Sequence, residues 1–336
     1  MNLVELNKIL PTLISNREPV LLVGPPGCGK TTVVKDIAKS LGHRLVIRHP
    51  VVEESVDSKG LPAFYEGGTR ARFTLTDDWR QLIEATEPTV CLIDDIGQAP
   101  NSVQAPYMQW MLERSCNGQR LSDHVTFVAC TNRRGDAAGV QGLITPLLSR
   151  FTTVINVDFD VAGWVKWAIA AGMPNELIGY ARFRPDNIGN SFKPSRDMEP
   201  SPTPRGWASV GRMFNLGITG DGATEAWTGA VGKGAAVEFK AFVDVYGKLP
   251  NTDDILKDPT NHPLPDKPDV TYALLTALSS IATVKNLATV LKFIERLPME
   301  HQAVFMVDAY ARLGVKIVTH PAYTKWVQAN KSMVFS

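Results

Sequence analysis

The chain has 336 residues, 44% of them hydrophobic and 21% charged, enough to bury the cores of about two domains. Its 35 Lys plus Arg against 34 Asp plus Glu leave a net charge of +1, which excludes a global basic field for nucleic acid. The four cysteines have no paired spacing and no apolar run approaches a membrane span, so reduced thiols and a cytoplasmic protein are expected.

The first half alternates strand and helix signals. Leu3, Leu6, Ile9, Leu10 and Leu13 mark an amphipathic helix leading into the apolar run PVLLVG at 19–24. A helix from Lys30 follows, with Val33, Val34, Ile37, Ala38 and Leu41 on one face and Gly42 at its end. Further apolar runs are RLVIRH (44–49), TVCLIDD (89–95), HVTFVAC (124–130) and TTVINV (152–157). Such buried-type strands alternating with helices predict an α/β fold whose parallel sheet is covered on both faces. Beyond residue 158 helical patterns take over, at 160–171, 204–215, 233–246, 269–282, 285–297 and 299–313. Two stretches of five prolines each, 184–206 and 247–269, read as long ordered loops. These signals divide the chain into an α/β domain at 1–158 and a helical region at 159–336.

The stretch GPPGCGKTT comprises Gly24, Pro25, Pro26, Gly27, Cys28, Gly29, Lys30, Thr31 and Thr32. It fits G-x-x-x-x-G-K-[ST] between a strand and a helix, so backbone N–H groups and a helix N-terminus face a bound phosphate. Lys30 is placed to reach the β- and γ-phosphates and the Thr31 hydroxyl to bind Mg²⁺, which predicts a nucleoside triphosphate with Mg²⁺ as the ligands. Cys28 stands where thiols can be acidified, yet nothing else in the sequence supports a redox switch, so it reads as a small residue tolerated in the loop.

In VCLIDDIGQAP (90–100), Asp94 ends an apolar strand, where a carboxylate can hold the Mg²⁺ water shell. Asp95 follows, able to orient or deprotonate the attacking water. A glutamate more often fills that second position, and Asp95 is one methylene shorter. Taken alone, the pair would read as a solvated acidic turn; the phosphate loop upstream reverses that reading.

The ordered set GPPGCGKTT, CLIDDIGQAP, FVACTNRRGDAAGVQGLITPLLSRF and SPTPRGWASV resembles AAA+ ATPases of the MoxR-like group, of the phage and bacterial type with a DD Walker B. The likeness extends to VDSKGLP (56–62) and ERLPMEHQAVFMVDA (295–309), and so over nearly the whole chain. It implies a sheet of order 5-1-4-3-2 and a helical lid that closes on nucleotide. It implies that Asn132 is sensor 1, Arg150 an arginine finger reaching the next subunit's γ-phosphate, and Arg205 sensor 2. On residue chemistry alone, an Asn after a strand such as Asn132 is more often a turn residue, and Arg150 is evenly balanced between a helix-end cation and a finger. For Arg205 there is a physical argument too: Thr203 and Pro204 suit a helix start, where a cation opposes the dipole unless it has an anionic partner. Arg133 and Arg134 are further candidates without an assignment.

The resemblance implies a homo-oligomer, a hexameric ring, that hydrolyses ATP to remodel a protein partner; in such systems the partner often carries a von Willebrand A-type domain. A DNA-acting motor or loader and a nucleotide-gated assembly factor with little turnover remain as alternatives. Basic GGTRARF and TNRRGD are the sequence support for nucleic acid. GLPAFYEGGTRARF (60–73) reads as a loop whose Phe64 and Tyr65 either grip a polypeptide or dock on their own domain. Trp164 and Trp167 read as core anchors, and the dispersed histidines offer no zinc site.

Overall fold

Each of the apolar runs of the first half forms a strand of one parallel sheet. In the computed structural model, which describes residues 1–136, 142–189, 200–220 and 222–330, these strands are β1 (Val20–Val23), β2 (Arg44–Arg48), β3 (Thr89–Ile93), β4 (Val125–Thr131) and β5 (Thr153–Asn156). They lie in the order β2-β3-β4-β1-β5, all paired parallel, which is the expected 5-1-4-3-2 read from the other edge. The sheet belongs to the first of two compact units, Met1–Phe159 and Asp160–Ser336.

Every residue of β3 and β4 is buried, as a sheet covered on both faces requires. Strand alternation sorts their side chains. Leu21, Cys91, Ile93, Phe127 and Ala129 face a layer built on α4 (Asp77–Ile83) and α5 (Asn101–Leu112), with Trp79, Tyr107 and Trp110 at its centre. Val20, Leu22, Val90, Leu92, Val128 and Cys130 face the opposite way, onto α1 (Leu3–Ser15) and α2 (Lys30–Ser40). A capping box starts α1: the Glu5 N–H donates to Asn2 Oδ1 at 2.8 Å and the Asn2 N–H to Glu5 Oε2 at 3.0 Å.

Between β2 and β3 the chain is more ordered than its sequence suggested. A short helix α3 (Ser55–Lys59) leads into an antiparallel hairpin of Leu61–Tyr65 with Arg70–Thr74. The stretch 60–73, expected as a loop, is thus largely strand; Glu66, Gly67 and Gly68, all at positive φ, make the reversal between two β-prone runs. Leu61, Phe64, Tyr65 and Phe73 stay exposed, Phe64 by 73%.

A charged network lies under this insertion. Arg48, 3% exposed at the end of an apolar strand, pairs through Nε with Glu53 Oε1 at 2.9 Å and through Nη1 with Asp78 at 3.1 Å. Its guanidinium lies over the Trp79 ring, 5.3 Å from the centroid, and Trp79 stacks on Trp110 at 4.3 Å. Tyr107 Oη donates to Glu53 Oε2 at 2.8 Å.

The second unit is helical. Its helices are α7 (Val161–Ala170), α8 (Asn175–Phe183), α9 (Pro185–Gly189), α10 (Pro204–Asn215), α11 (Ala223–Val231), α12 (Lys233–Tyr246), α13 (Thr252–Lys257), α14 (Pro268–Ile281), α15 (Leu287–Ile294), α16 (Met299–Leu313) and α17 (Pro321–Ala329); α6 (Thr145–Leu148) belongs to the first unit. Tyr180, Trp207, Trp227, Phe239 and Phe242 form an aromatic cluster with centroid separations of 5.1–5.7 Å. A second cluster joins Leu274, Leu278, Leu291, Phe293, Phe305 and Trp326. Arg182 pairs with Asp308, 1% exposed, at 2.5 Å.

Two expectations need correction here. The proline-rich stretches are not loops throughout, since α9 lies in the first and α13 in the second; prolines at first-turn positions are compatible with helix. Residues 190–199 of the first stretch lie outside the described residues. Trp164 is buried as an anchor, but Trp167 is 41% exposed, because three residues along a helix turn it to the edge of the apolar face. Among the described residues no helix is long and apolar enough to cross a membrane.

Removing one partner of the buried Arg48–Glu53 pair strands a charge. Glu53→Ala is expected to destabilise the first unit by about 3 kcal/mol, the low end for such a loss because Asp78 still faces the guanidinium. Equilibrium urea unfolding followed by tryptophan fluorescence measures this.

Candidate active site

Because β1 lies beside β4, and β4 beside β3, their carboxyl ends form one row. Open parallel sheets bind ligands beyond these ends. Here β1 runs into the phosphate-loop sequence, β3 into Asp94 and Asp95, and β4 into Asn132. Residues 63 and 102 positions apart in sequence therefore meet.

The loop is shaped by its glycines in two different ways. Gly27 and Gly29 take positive φ, 73° and 98°, which turns the chain into α2. At Gly24 space decides instead: a Cβ there would stand 2.5 Å from the Val157 carbonyl oxygen. Gly29, the N-cap of α2, offers no side chain to the first-turn N–H groups, and no acidic residue lies in that turn. Those donors and the positive dipole end suit an anion.

Lys30, 6% exposed, donates from Nζ to the Gly24 carbonyl at 2.8 Å, the Pro25 carbonyl at 2.9 Å and Asn132 Oδ1 at 3.0 Å. The other end of the Asn132 carboxamide, Nδ2, donates to Asp95 Oδ1 at 3.4 Å. An ammonium on one side and a carboxylate on the other fix which way that amide points. Thr31 Oγ1 lies 3.0 Å from both oxygens of Asp94. Lys30–Asn132–Asp95 and Thr31–Asp94 are thus two adjoining sets of contacts, joined along the chain at Lys30–Thr31 and Asp94–Asp95. A hydroxyl beside a carboxylate is a hard oxygen pair suited to Mg²⁺, which usually keeps several waters and takes few protein ligands.

Arg133, the residue after Asn132, donates from Nη2 to Asp158 Oδ1 at 2.5 Å and to the Val157 carbonyl at 3.1 Å. That hydrogen bond holds the Asp158 carboxyl below its ordinary pKa. Arg150 follows α6, too short for its helix end to exert much dipole; its Nη1 donates to Ser149 Oγ at 2.9 Å and its buried Nε has no hydrogen-bond partner. Arg205 lies in the second unit, exposed in the first turn of α10, where Thr203 Oγ1 accepts the Gly206 N–H at 3.0 Å and Pro204 occupies the first position.

The description "ATPase family associated with various cellular activities (AAA)" belongs to a family model that matches residues 20–159. Over that stretch, a little under half of its length, the chain is similar to this family. The match takes in the whole sheet and every contact of the set around Lys30. The chain is also similar to an "AAA ATPase forming ring-shaped complexes" of Corynebacterium diphtheriae, 30% identical over 139 residues, 39% of this chain and 26% of that protein. It is also similar to the peroxisomal Lon protease homolog 2 of Arabidopsis thaliana, 31% identical over 152 residues, 41% of this chain and 16% of that protein. The matched part thus spans about a quarter or less of either relative's length. Among solved structures, a mutant of RuvB from Thermotoga maritima aligns over 87% of this chain and 86% of its own, with 18% identity and a TM-score of 0.44.

Sequence reasoning missed the Arg48–Glu53–Tyr107 network beside this site. One signal was present, a charged residue at the inner end of the apolar run RLVIRH. Tyr107 offered none.

The four thiols, all in the first unit, are shielded by burial. It pushes Cys28, Cys116 and Cys130 above the ordinary thiol pKa and Cys91 up to about 12; the Lys30 ammonium opposes the shift at Cys28 without reversing it. At pH 8 the folded protein is therefore expected to react with a thiol-specific disulfide reagent at none of the four cysteines within minutes, and at all four in denaturant. Absorbance of the released thiolate reads this out, and fast labelling of Cys28 would revive the redox reading.

Proposed function

We propose that the chain is a Mg²⁺-dependent ATPase of the MoxR-like type that acts as a ring and remodels a protein partner. The contact set Lys30–Asn132–Asp95 beside Thr31–Asp94 carries this reading. It brings a phosphate-binding cation, a metal-binding oxygen pair, a polar positioning group and a carboxylate base to one row of strand ends.

In this mechanism the backbone N–H groups of residues 27–31 and the α2 N-terminus hold the β-phosphate, and Lys30 moves from Asn132 to the β- and γ-phosphate oxygens. Thr31 and Asp94 are the residues that would hold Mg²⁺, which when bound would supply charge neutralisation for the phosphate oxygens. Asn132, released from Lys30, orients the attacking water, and Asp95 takes its proton. Arg150 reaches the γ-phosphate of the next subunit, and Arg205 keeps the sensor 2 role that the resemblance gives it. In this reading 1–158 is the nucleotide-binding core and 159–336 the lid and C-terminal helices. Ring assembly, with six subunits as the group implies, is supported by a relative described as forming ring-shaped complexes.

The exposed hairpin supports a protein partner, with or without a von Willebrand A-type domain. Leu61, Phe64, Tyr65 and Phe73 offer apolar contact, with Arg70 and Arg72, both exposed, each 5.8 Å from the Tyr65 ring.

Phosphate release from ATP is expected to require Mg²⁺ and to fall by at least about a hundredfold in Asp95→Asn, which keeps nucleotide binding. Lys30→Ala is expected to lose both. Oligomer mass is recorded in parallel by light scattering. A wild-type ring that assembles on ATP and releases no phosphate would replace the ATPase reading with a nucleotide-gated assembly factor.

A further inference from the structure

The acidic strand end and the exposed hairpin are joined by an unbroken run of contacts. The Asp94 N–H donates to the Arg48 carbonyl at 2.9 Å, so the last residue of β2 holds the backbone immediately before Asp95. The Arg48 side chain turns inward to Glu53, and the Glu53 carboxylate is shared: Arg48 meets Oε1, while Tyr107 Oη at 2.8 Å and Ser58 Oγ at 3.4 Å reach Oε2. Ser58 belongs to α3, whose end is held twice more. Trp110 Nε1 donates to the Ser58 carbonyl at 3.0 Å, and Asn117 Nδ2 to the Lys59 carbonyl at 2.8 Å. Gly60 then opens the hairpin at φ 85°, so close to its other strand that a Cβ would stand 2.5 Å from the Thr74 carbonyl oxygen. A displacement of α3 therefore carries both strands with it.

Stability alone is a weak reason for such a network, because well-packed apolar residues of the same volume do as well as a buried ion pair. Directional bonds do what apolar packing does not: they hold one arrangement of β2, α3 and α5 in register. The network also borders an open cavity of about 280 Å³, lined in part by His49, Val52, Asp57 and Thr76. A guanidinium and a carboxylate have room there to exchange partners, as a two-state element requires.

We propose that Arg48, Glu53 and Tyr107 are positioning residues that couple the nucleotide site to the hairpin. Occupancy at Asp94 and Asp95 shifts β2, the Glu53 carboxylate passes the shift to α3, and the hairpin moves; by reciprocity, load on the hairpin alters turnover. This rests on the ATPase reading given above.

Hydrogen exchange of the full chain, with and without Mg²⁺ and a slowly hydrolysed ATP analogue, tests it at residues 61–74. Two variants serve: Tyr107→Phe, which removes one hydroxyl, and the pair Arg48→Met with Glu53→Leu, which removes both charges and strands neither. Thermal melts establish that each is folded, and analogue binding is measured separately. In wild type, nucleotide is expected to change hairpin exchange by at least about fivefold, with both variants binding nucleotide as wild type does and losing that change. ATP turnover by Tyr107→Phe is expected to show a lower kcat at unchanged KM, which loss of packing alone would not produce. A hairpin that answers nucleotide equally in wild type and variants overturns the coupling. So does a wild-type hairpin that ignores bound nucleotide. Absence of nucleotide binding in wild type would instead sink the ATPase reading, and the coupling with it.

Discussion

A buried ammonium must find oxygen, and the site is organised around that demand. Lys30 is 6% exposed, and an unpaired cation at that depth is costly enough to dictate what surrounds it. The Gly24 and Pro25 carbonyls and the Asn132 carboxamide answer it. Two of those acceptors come from the loop itself and one from the neighbouring strand, so a single charge ties β1 to β4 at their carboxyl ends. The acceptors are also replaceable. Phosphate oxygens are stronger partners for an ammonium than neutral carbonyl groups, so a triphosphate entering the loop meets a cation already desolvated and aimed.

The sheet makes that arrangement affordable in packing terms. With β3 and β4 buried on both faces, their residues are held between two apolar layers and cannot shift singly. The acidic strand end and Asn132 therefore sit at the tips of the most rigid strands. By contrast the hairpin of 61–74 lies outside both layers, with its apolar side chains in solvent. Rigidity at the chemistry and exposure at the insertion are properties of one unit, and Arg48 lies where they meet.

Much of this was legible in the sequence, for reasons that differ by element. The sheet strands are short unbroken runs of β-branched and aliphatic residues, and the phosphate loop has a spacing few other structures need. Thr203 and Pro204 announced the start of α10 because capping is local chemistry. The hairpin was misread because its outward strands carry arginines and a proline instead of a clean apolar face, and the insertion is held by α3 and α5 from beneath. The helices α5 and α8 were not read either; α5 has a proline at 106 and an apolar pattern that packs on more than one side. Most hidden was Asn132 between Lys30 and Asp95, since a contact spanning 102 residues follows only from strand order.

The second acid of the strand end has a backbone as well as a carboxylate. Asp95 sits at φ 56°, ψ 32°, a left-handed turn that costs most L-residues about 1–2 kcal/mol. Aspartate and asparagine enter that region several-fold more readily than other side chains, because a short polar group can bond to its own backbone there. A glutamate would gain reach towards a water but would hold the turn less easily. The missing methylene that first set this chain apart is thus a conformational fit, a short acid at a turn that a longer one holds less easily.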